Sequence, residues 1–384
     1  MSTIERQEVM KFMKTLVLFI LPFVIVLAPP IAILAITGEL ISVDSVIERQ
    51  KGTTRVMYGV GFSDDTFYYK LQSVLSRKPV VVSVGTSRVM QFPAHFFKQP
   101  ETFFNAGGIG GISHYQLFLD KIPKSDQPKV ILLGLDTGSF NDRNAKRNDD
   151  VLPQHLDRPS SLLAKTLGKW PEVYKNLFNG KISFEKIFDR TQAQTEKIGL
   201  NAIMKNEGFM NDGSHHWAAA DERDPGHHQA DESIHAELEN IAQGMSEFQN
   251  GGTEPSEIVL ARVDAFLKQS SERGIYVVGF LTPRSHQAYE RMKSDGRATY
   301  LDKLESTLRP IFEKYGFSVY NFSDPQSFGS ADNEFINESH GSEKTYARLF
   351  ISMVEKEEKL NALVDLPRLK ERLEKSKSFL NLEQ

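Results

Sequence analysis

The fold is decided by the stretch PVVVSVGTSR, residues 79–88. Its first half is a short β-branched run that stops at Gly85, a pattern typical of a buried strand ending in a tight turn. Ser87 then follows the carboxyl end of that strand, at the edge where open α/β sheets bind their ligands. Glycine and serine are also common turn and cap residues, so this motif alone does not decide whether Ser87 is functional.

Further short apolar runs follow, and helical patterns separate most of them. We predict strands at 79–84, 103–105, 129–135, 275–281 and 317–322. The third of these, KVILLGL, is almost continuously apolar, as a parallel strand covered by helices on both faces should be. Five short strands joined through helices predict an α/β fold with a doubly wound parallel sheet.

The N-terminal part of the chain carries a long apolar segment, Thr15–Ile36, without a charged residue. A segment of this length can cross a hydrocarbon core of roughly 30 Å. Lys11 and Lys14 precede it, and Glu39 and Asp44 follow it, which favours a cytoplasmic N-terminus. A cleaved signal peptide is the alternative, but its apolar core would be unusually long and no clear small-residue cleavage site follows.

We divide the chain into a few regions on these patterns. They are a cytoplasmic tail at 1–14, a membrane anchor at 15–37, a juxtamembrane segment at 38–75, an α/β domain at 76–365 and an amphipathic C-terminal tail at 366–384. Residues 143–250 are polar and interrupt the strand–helix alternation, so we predict one long insertion there. The expected location is the cell (inner) membrane, crossed once, with the main domain periplasmic or otherwise extracytoplasmic.

Composition excludes several functions. The chain of 384 residues has a net charge of −4, so we expect no nucleic-acid partner. It contains no cysteine, which excludes disulfides, thiolate metal sites and thiol catalysis. Histidines cluster at His215, His216, His227, His228 and His235, but their spacing matches no known metal cage, and we expect no metal there.

Three more motifs accompany the serine turn. They are NAGG at 105–108, GLDTGSFN at 134–141 and NESH at 337–340. The first two end predicted strands, and the last places His340 after the final strand, just before a helix. A serine after the first strand and a histidine after the last suggest a serine nucleophile with a histidine base.

In this order the motifs resemble the sequence blocks of the SGNH (GDSL-like) hydrolase superfamily. The resemblance implies a flavodoxin-like strand order 2-1-3-4-5, with Ser87 as nucleophile and His340 as base. It also implies an oxyanion hole formed by the backbone amide of Ser87 and that of Gly107 or Gly108. No cofactor is expected.

The final block departs from the family pattern. Members usually carry an aspartate three residues before the histidine, where this chain has Asn337. An asparagine can orient an imidazole but stabilises the imidazolium less than a carboxylate does. Three acidic residues nearby are alternatives for the third position: Glu338, Asp332 and Glu334.

The third block departs as well. Members usually have an asparagine where this chain has Asp136, and an ionised carboxylate there would repel an oxyanion. Two alternatives remain: Asn141 is the oxyanion donor, or Asp136 serves structure. Two more residues are placed in the cleft together with Asp136. Arg88 could engage an anionic acceptor or pair with a carboxylate, and His286 follows the fourth strand.

A single anchor followed by such blocks is similar to the membrane-anchored SGNH-like proteins of teichoic-acid D-alanylation and alginate O-acetylation. This narrower resemblance implies O-acyl transfer, in the first place of acetyl groups, to a cell-surface or secreted polysaccharide. The implied partner is a membrane-bound O-acyltransferase that supplies the acyl group. Aromatic residues in the insertion, Trp170, Tyr174 and Trp217, suit sugar contact. An esterase and a non-catalytic binding or scaffold subunit are the alternatives.

Overall fold

The computed structural model describes residues 3–142, 158–189, 194–218, 229–245 and 251–382. The chain divides into two compact units. One unit comprises Met1–Asp64 and Pro159–Gly208, and the other comprises Asp65–Arg158 and Phe209–Gln384. The segment 143–250, predicted as one insertion, is therefore divided between the units.

The larger unit is built on a five-stranded sheet in which every pair of neighbouring strands is parallel. The strands are β1 (Val81–Gly85), β2 (Phe103–Gly107), β3 (Val130–Leu135), β4 (Tyr276–Leu281) and β5 (Ser318–Asn321). Their order is β2-β1-β3-β4-β5, which confirms the predicted order 2-1-3-4-5. Gly85 pairs with Gly107, and Leu135 pairs with Leu281, so the carboxyl ends of these strands meet at one edge.

Helices cover both faces of this sheet. Successive residues of a strand point to opposite faces, so each strand contributes side chains to two apolar cores. Val82 and Val84 belong to one apolar core, whereas Val81 belongs to the other. The helices are Thr66–Arg77, Ile112–Asp120, Gln229–Gln243, Glu257–Glu272, His286–Asp295, Leu304–Glu313, Glu343–Val354, Glu358–Asn361 and Leu366–Lys375. The last of these lies in the predicted C-terminal tail, and its Leu369 is buried in the second core.

A short hairpin adds to this architecture. Its strands are Gly208–Phe209 and His215–His216, and the chain turns between them at Gly213, whose φ of 79° is in the left-handed region that favours glycine. A Cβ at Gly213 would lie 2.3 Å from the carbonyl oxygen of Asn105 on β2. The turn therefore lies directly against the sheet.

The smaller unit contains the N-terminal helix, Thr3–Ile36. By its length and hydropathy this helix can cross a membrane. Its other elements are the helices Val43–Gln50, Leu162–Leu167, Trp170–Phe178, Phe184–Phe188 and Leu200–Lys205 and the parallel strands Arg55–Tyr58 and Thr195–Ile198. Val173, Ile182 and Leu200 pack with Ile33 and Leu34 in one apolar cluster. These long-range contacts explain why residues 159–208 fold with the N-terminal helix.

Candidate active site

The turn after β1 that carries Ser87 packs tightly around the side chain of Val89. Ser87 begins the single helical turn Ser87–Gln91, which follows β1. Val89 of that turn lies against Gly85 and Gly134, and a Cβ on either glycine would lie 2.2 Å from its Cγ2. The two glycines therefore allow the chain to turn sharply after β1, which leaves Ser87 half-buried at the edge of the sheet.

His340 lies beside this serine. Its Nε2 is 2.9 Å from the Ser87 Oγ, and its Nδ1 is 2.9 Å from the Asn337 Oδ1. The same Oδ1 accepts the backbone amides of Ser339 at 3.1 Å and of His340 at 2.9 Å, so the carbonyl end of the asparagine faces the ring. The His340 Nδ1 consequently carries the proton, and Nε2 presents its lone pair to the serine hydroxyl.

The surroundings of His340 keep it neutral. Burial lowers the pKa of His340 to about 4; the positive charges of Arg88 and Arg284 lower it too, while Asp136 opposes them. Near neutral pH the imidazole is unprotonated, which is the form that accepts a proton from a hydroxyl.

The three acidic alternatives to Asn337 have other partners. Glu334 pairs with Arg348 at 2.8 Å, and Asp332 accepts the backbone amide of His286. Glu338 accepts the Ser339 hydroxyl at 3.1 Å. Of these four candidates, Asn337 is therefore the one whose side chain contacts the His340 Nδ1.

The predicted oxyanion donors differ in availability. The Gly107 amide donates to the Asn105 Oδ1 at 2.7 Å, and the Gly108 amide donates to the Gly85 carbonyl at 2.9 Å. The Gly107 amide is thus bonded within its own strand, and the Gly108 amide links the turn after β2 to the end of β1. In this structure both amides have protein acceptors. The Ser87 amide has no acceptor among the described residues. Asn141 Nδ2 lies 3.4 Å from the carbonyl oxygen of Gly251.

Asp136 joins the carboxyl ends of three strands. Its Oδ2 accepts the Thr86 hydroxyl at 2.7 Å, and its Oδ1 accepts the Thr282 hydroxyl at 2.8 Å. The Arg88 Nε lies 3.9 Å from the same carboxylate, and the Arg88 side chain is buried. Of the two alternatives for each residue, these contacts fit a structural Asp136 and a carboxylate-paired Arg88.

His286 contacts acidic residues that follow β5. Its Nδ1 is 2.9 Å from the Asp324 Oδ1, and the pair lies beside Glu290 of the same helix. The ligand atoms of these three residues lie within 4.8 Å of one another, a grouping that could hold a metal ion. Among the predicted histidine cluster, His227 and His228 lie outside the described residues.

The hairpin leads into Trp217, whose ring lies beside His340. The Trp217 ring centroid lies 5.1 Å from that of His340, and the His215 ring lies 4.5 Å from Trp217. Burial lowers the pKa of His215 to about 3, and Lys70, His216 and His340 add to this effect. Of the three aromatic residues that suited sugar contact, Trp217 lies at the site, whereas Trp170 and Tyr174 belong to the other unit.

Lys70 fixes the hairpin, and sequence reasoning missed it. It is fully buried; its Nζ donates to the Asn105 carbonyl at 2.9 Å and to the Gly213 carbonyl, and lies 4.0 Å from the centroid of the Phe209 ring. Burial holds the pKa of Lys70 well below its usual range, although Asp212 opposes this. The available signal was a lysine on the apolar face of a helix, between positions such as Phe67 and Val74 that enter the core.

Comparison of the chain with protein-family models, with curated proteins and with solved structures gave no match. The function is therefore inferred from the residues and the geometry of the site.

Proposed function

We propose that this chain is a membrane-anchored enzyme that carries an acyl group, in the first place acetyl, on Ser87 and transfers it to a hydroxyl of a cell-surface or secreted polysaccharide. The observation that carries the proposal is the line of hydrogen bonds from Ser87 through His340 to Asn337, with 2.9 Å at each step. This is the arrangement by which a nucleophile is activated by a base that a third group orients.

In the first half of the reaction, the Ser87 Oγ attacks the carbonyl carbon of the acyl donor while its proton passes to the His340 Nε2. The tetrahedral intermediate collapses, and the leaving group departs with the proton from His340. In the second half, a sugar hydroxyl attacks the acyl-serine and gives its proton to His340, which returns it to the Ser87 Oγ as the ester bond breaks. The Ser87 amide is the proposed donor to the oxyanion in both halves.

Asn337 supplies orientation without charge. Asparagine takes the same place beside histidine in papain-like sites. Its carbonyl fixes the ring and the tautomer, and the low pKa of His340 keeps the base unprotonated over most of the physiological range.

The acyl donor comes from the membrane in this proposal. The N-terminal helix spans the cell membrane once, with the larger unit outside. Acyl thioesters are cytoplasmic, so a multi-spanning membrane-bound O-acyltransferase would pass the acyl group across the bilayer to Ser87. No cofactor is required in the outer step.

Trp217 bears on whether a sugar or water accepts the acyl group. An aromatic ring beside the base is a surface on which the apolar face of a sugar can stack, and a bound sugar displaces water from the acyl-serine. An esterase would use the same serine and histidine with water as acceptor. We favour transfer because only transfer uses Trp217, as the surface on which the acceptor sugar stacks.

The test uses the purified full chain in detergent, p-nitrophenyl acetate as donor and an oligosaccharide as acceptor. Ser87→Ala and His340→Ala should each lower the rate by about 10²-fold or more, whereas Ser294→Ala, an exposed serine on another helix, should leave it unchanged. Acetylated oligosaccharide should accumulate with the wild-type chain. Acetate without acetylated sugar would establish the esterase alternative. A Ser87→Ala rate equal to that of the wild type would exclude the Ser–His mechanism, and no rate above background with the wild-type chain would favour the non-catalytic subunit.

A further inference from the structure

The unit that contains the N-terminal helix has a second apolar surface. Three short helices form it: Leu162–Leu167, Trp170–Phe178 and Phe184–Phe188, together called the apolar helices below. Phe178 is 82% exposed and Leu163 is 66% exposed. The other large apolar side chains exposed here are Leu162, Leu167, Phe184 and Phe188. Apolar side chains exposed together in this way mark an interaction surface.

A hydrogen bond links this surface to the N-terminal helix. The Tyr174 hydroxyl donates to the Val26 carbonyl at 2.9 Å. That carbonyl lacks its usual helical partner because Pro30, four residues later, has no N–H. The proline and the tyrosine thus fit together, and the packing of Val173 and Leu177 against Ile33 and Leu34 extends the contact.

The exposure of the N-terminal helix to solvent changes near Val26, the residue that contacts Tyr174. Large apolar side chains are exposed along it from Val9 to Val26. After that point Pro30, Ile33 and Leu34 are covered by protein, and Ile36 is exposed again at the end of the helix. At 1.5 Å per residue the exposed part is about 27 Å long, close to the roughly 30 Å of a hydrocarbon core. The membrane surface therefore falls near Val26, and Tyr174 lies at that depth. Lys11 and Lys14 then lie near the inner end of this exposed part, where long side chains can reach the headgroups.

Aromatic side chains follow one side of the middle apolar helix. Trp170, Tyr174 and Phe178 are four residues apart; ring centroids of the first pair are 6.2 Å apart, and those of the second pair 5.9 Å. Tryptophan and tyrosine concentrate at the boundary between lipid headgroups and acyl chains. This row has the composition of such a boundary at the depth where the exposed part of the N-terminal helix ends.

We propose that the apolar helices are a second membrane-binding element, lying in the outer interface of the bilayer with their exposed leucine and phenylalanine side chains among the acyl chains. The occupant of this surface is lipid, because the surface is continuous with the exposed apolar part of the N-terminal helix through Tyr174 and Val26. The proposal rests on the proposed spanning of the membrane by that helix. Two elements instead of one would hold this unit at a fixed depth.

The chain has no cysteine, so single cysteines report on chosen positions. The full chain is reconstituted in phosphatidylcholine–phosphatidylglycerol vesicles with an environment-sensitive fluorophore at Phe178→Cys, Leu163→Cys, Phe19→Cys or Glu48→Cys. Phe19 reports on the spanning helix, and Glu48 is an exposed polar position of the same unit. Spin-labelled lipid quenches from the bilayer, and iodide quenches from water.

We expect lipid quenching without iodide quenching at positions 178 and 163, as at position 19, and iodide quenching at position 48. Iodide quenching at 178 and 163 with lipid quenching at 19 would overturn this inference and leave the spanning helix in place. Quenching by neither agent at 178 and 163 would show a second copy of the chain on this surface and would also overturn it. Iodide quenching at position 19 would instead contradict the spanning helix itself.

Discussion

At the scale of single residues, burial lowers the pKa of His340 to about 4, and Asn337 beside the ring adds no charge that would raise it. The asparagine carbonyl accepts the Nδ1 proton at 2.9 Å but carries no charge that would hold a second proton on the ring. Arg88 and Arg284 also disfavour the imidazolium, and Asp136 only partly opposes them. A base with this pKa loses its activity as the pH falls through about 4.

We predict that Asn337→Asp raises the pKa of His340, because a carboxylate then faces the protonated ring. The acidic limb of kcat/KM should move upward from about pH 4, toward the ordinary histidine value, and the rate at pH 8 should hold or rise. The measurement is a pH–rate profile with p-nitrophenyl acetate. Asn337→Ala, the control, should slow the reaction about 10²-fold. An unchanged acidic limb in Asn337→Asp would show that Asn337 does not orient the base.

At the scale of elements, the turn after β1 depends on the fit of Val89 between two glycines. We predict that Gly134→Ala destabilises the chain by about 1–3 kcal/mol, because the added methyl group overlaps the Val89 Cγ2. Val89→Ala should restore part of the lost stability in the double variant, since it removes that methyl. Thermal unfolding in detergent measures both. If Gly134→Ala lowers the stability equally in the wild-type and the Val89→Ala background, the added methyl group does not clash with Val89.

In the proposed reaction, the hairpin and Trp217 after it are expected to favour transfer over hydrolysis. Removing the whole hairpin would also disturb the sheet, because the carbonyl and carboxylate of Asp212 accept the backbone amides of Asn105 at 2.8 Å and Ala94 at 2.7 Å. Trp217→Ala instead removes only the ring beside His340. We predict that it lowers the ratio of transfer to hydrolysis several-fold, and that Trp217→Phe keeps most of that ratio. A ratio unaffected by Trp217→Ala would exclude this ring from the acceptor site.

The sequence predicted those features that depend on local pattern. The strands follow from β-branched runs separated by helical periodicity, whereas their order was implied by the family resemblance. Ser87 and His340 are predicted because one follows the first strand and the other follows the last. The sequence did not indicate whether the Gly107 amide can donate to an oxyanion, because its hydrogen bond to the Asn105 side chain is visible only in the structure. The role of Lys70 was missed for a similar reason, since it bonds to Gly213, far along the chain. Contacts between distant residues also explain why the segment 143–250, predicted as one insertion, belongs to both units.

At the scale of the whole molecule, the account requires the larger unit to lie outside the cell membrane. We predict that alkaline phosphatase fused at the C-terminus is active. Green fluorescent protein fused at the same position should be dark, because it would be exported. The reason is that Lys11 and Lys14 lie near the N-terminal end of the helix and keep the N-terminus inside. A bright green fluorescent protein fusion would place Ser87 in the cytoplasm and contradict the proposed acyl relay.

The central claim is that Ser87 carries the acyl group, and trapping of the acyl-enzyme tests it most directly. The full chain is mixed with p-nitrophenyl acetate, quenched in acid within the first turnover and mapped by peptide mass spectrometry. The account predicts one acetyl group on the peptide that contains Ser87 in the wild type. It predicts no acetyl group on that peptide in Ser87→Ala and slowed labelling in His340→Ala. Acetylation at another residue, or equal labelling of Ser87 with and without His340, would contradict it.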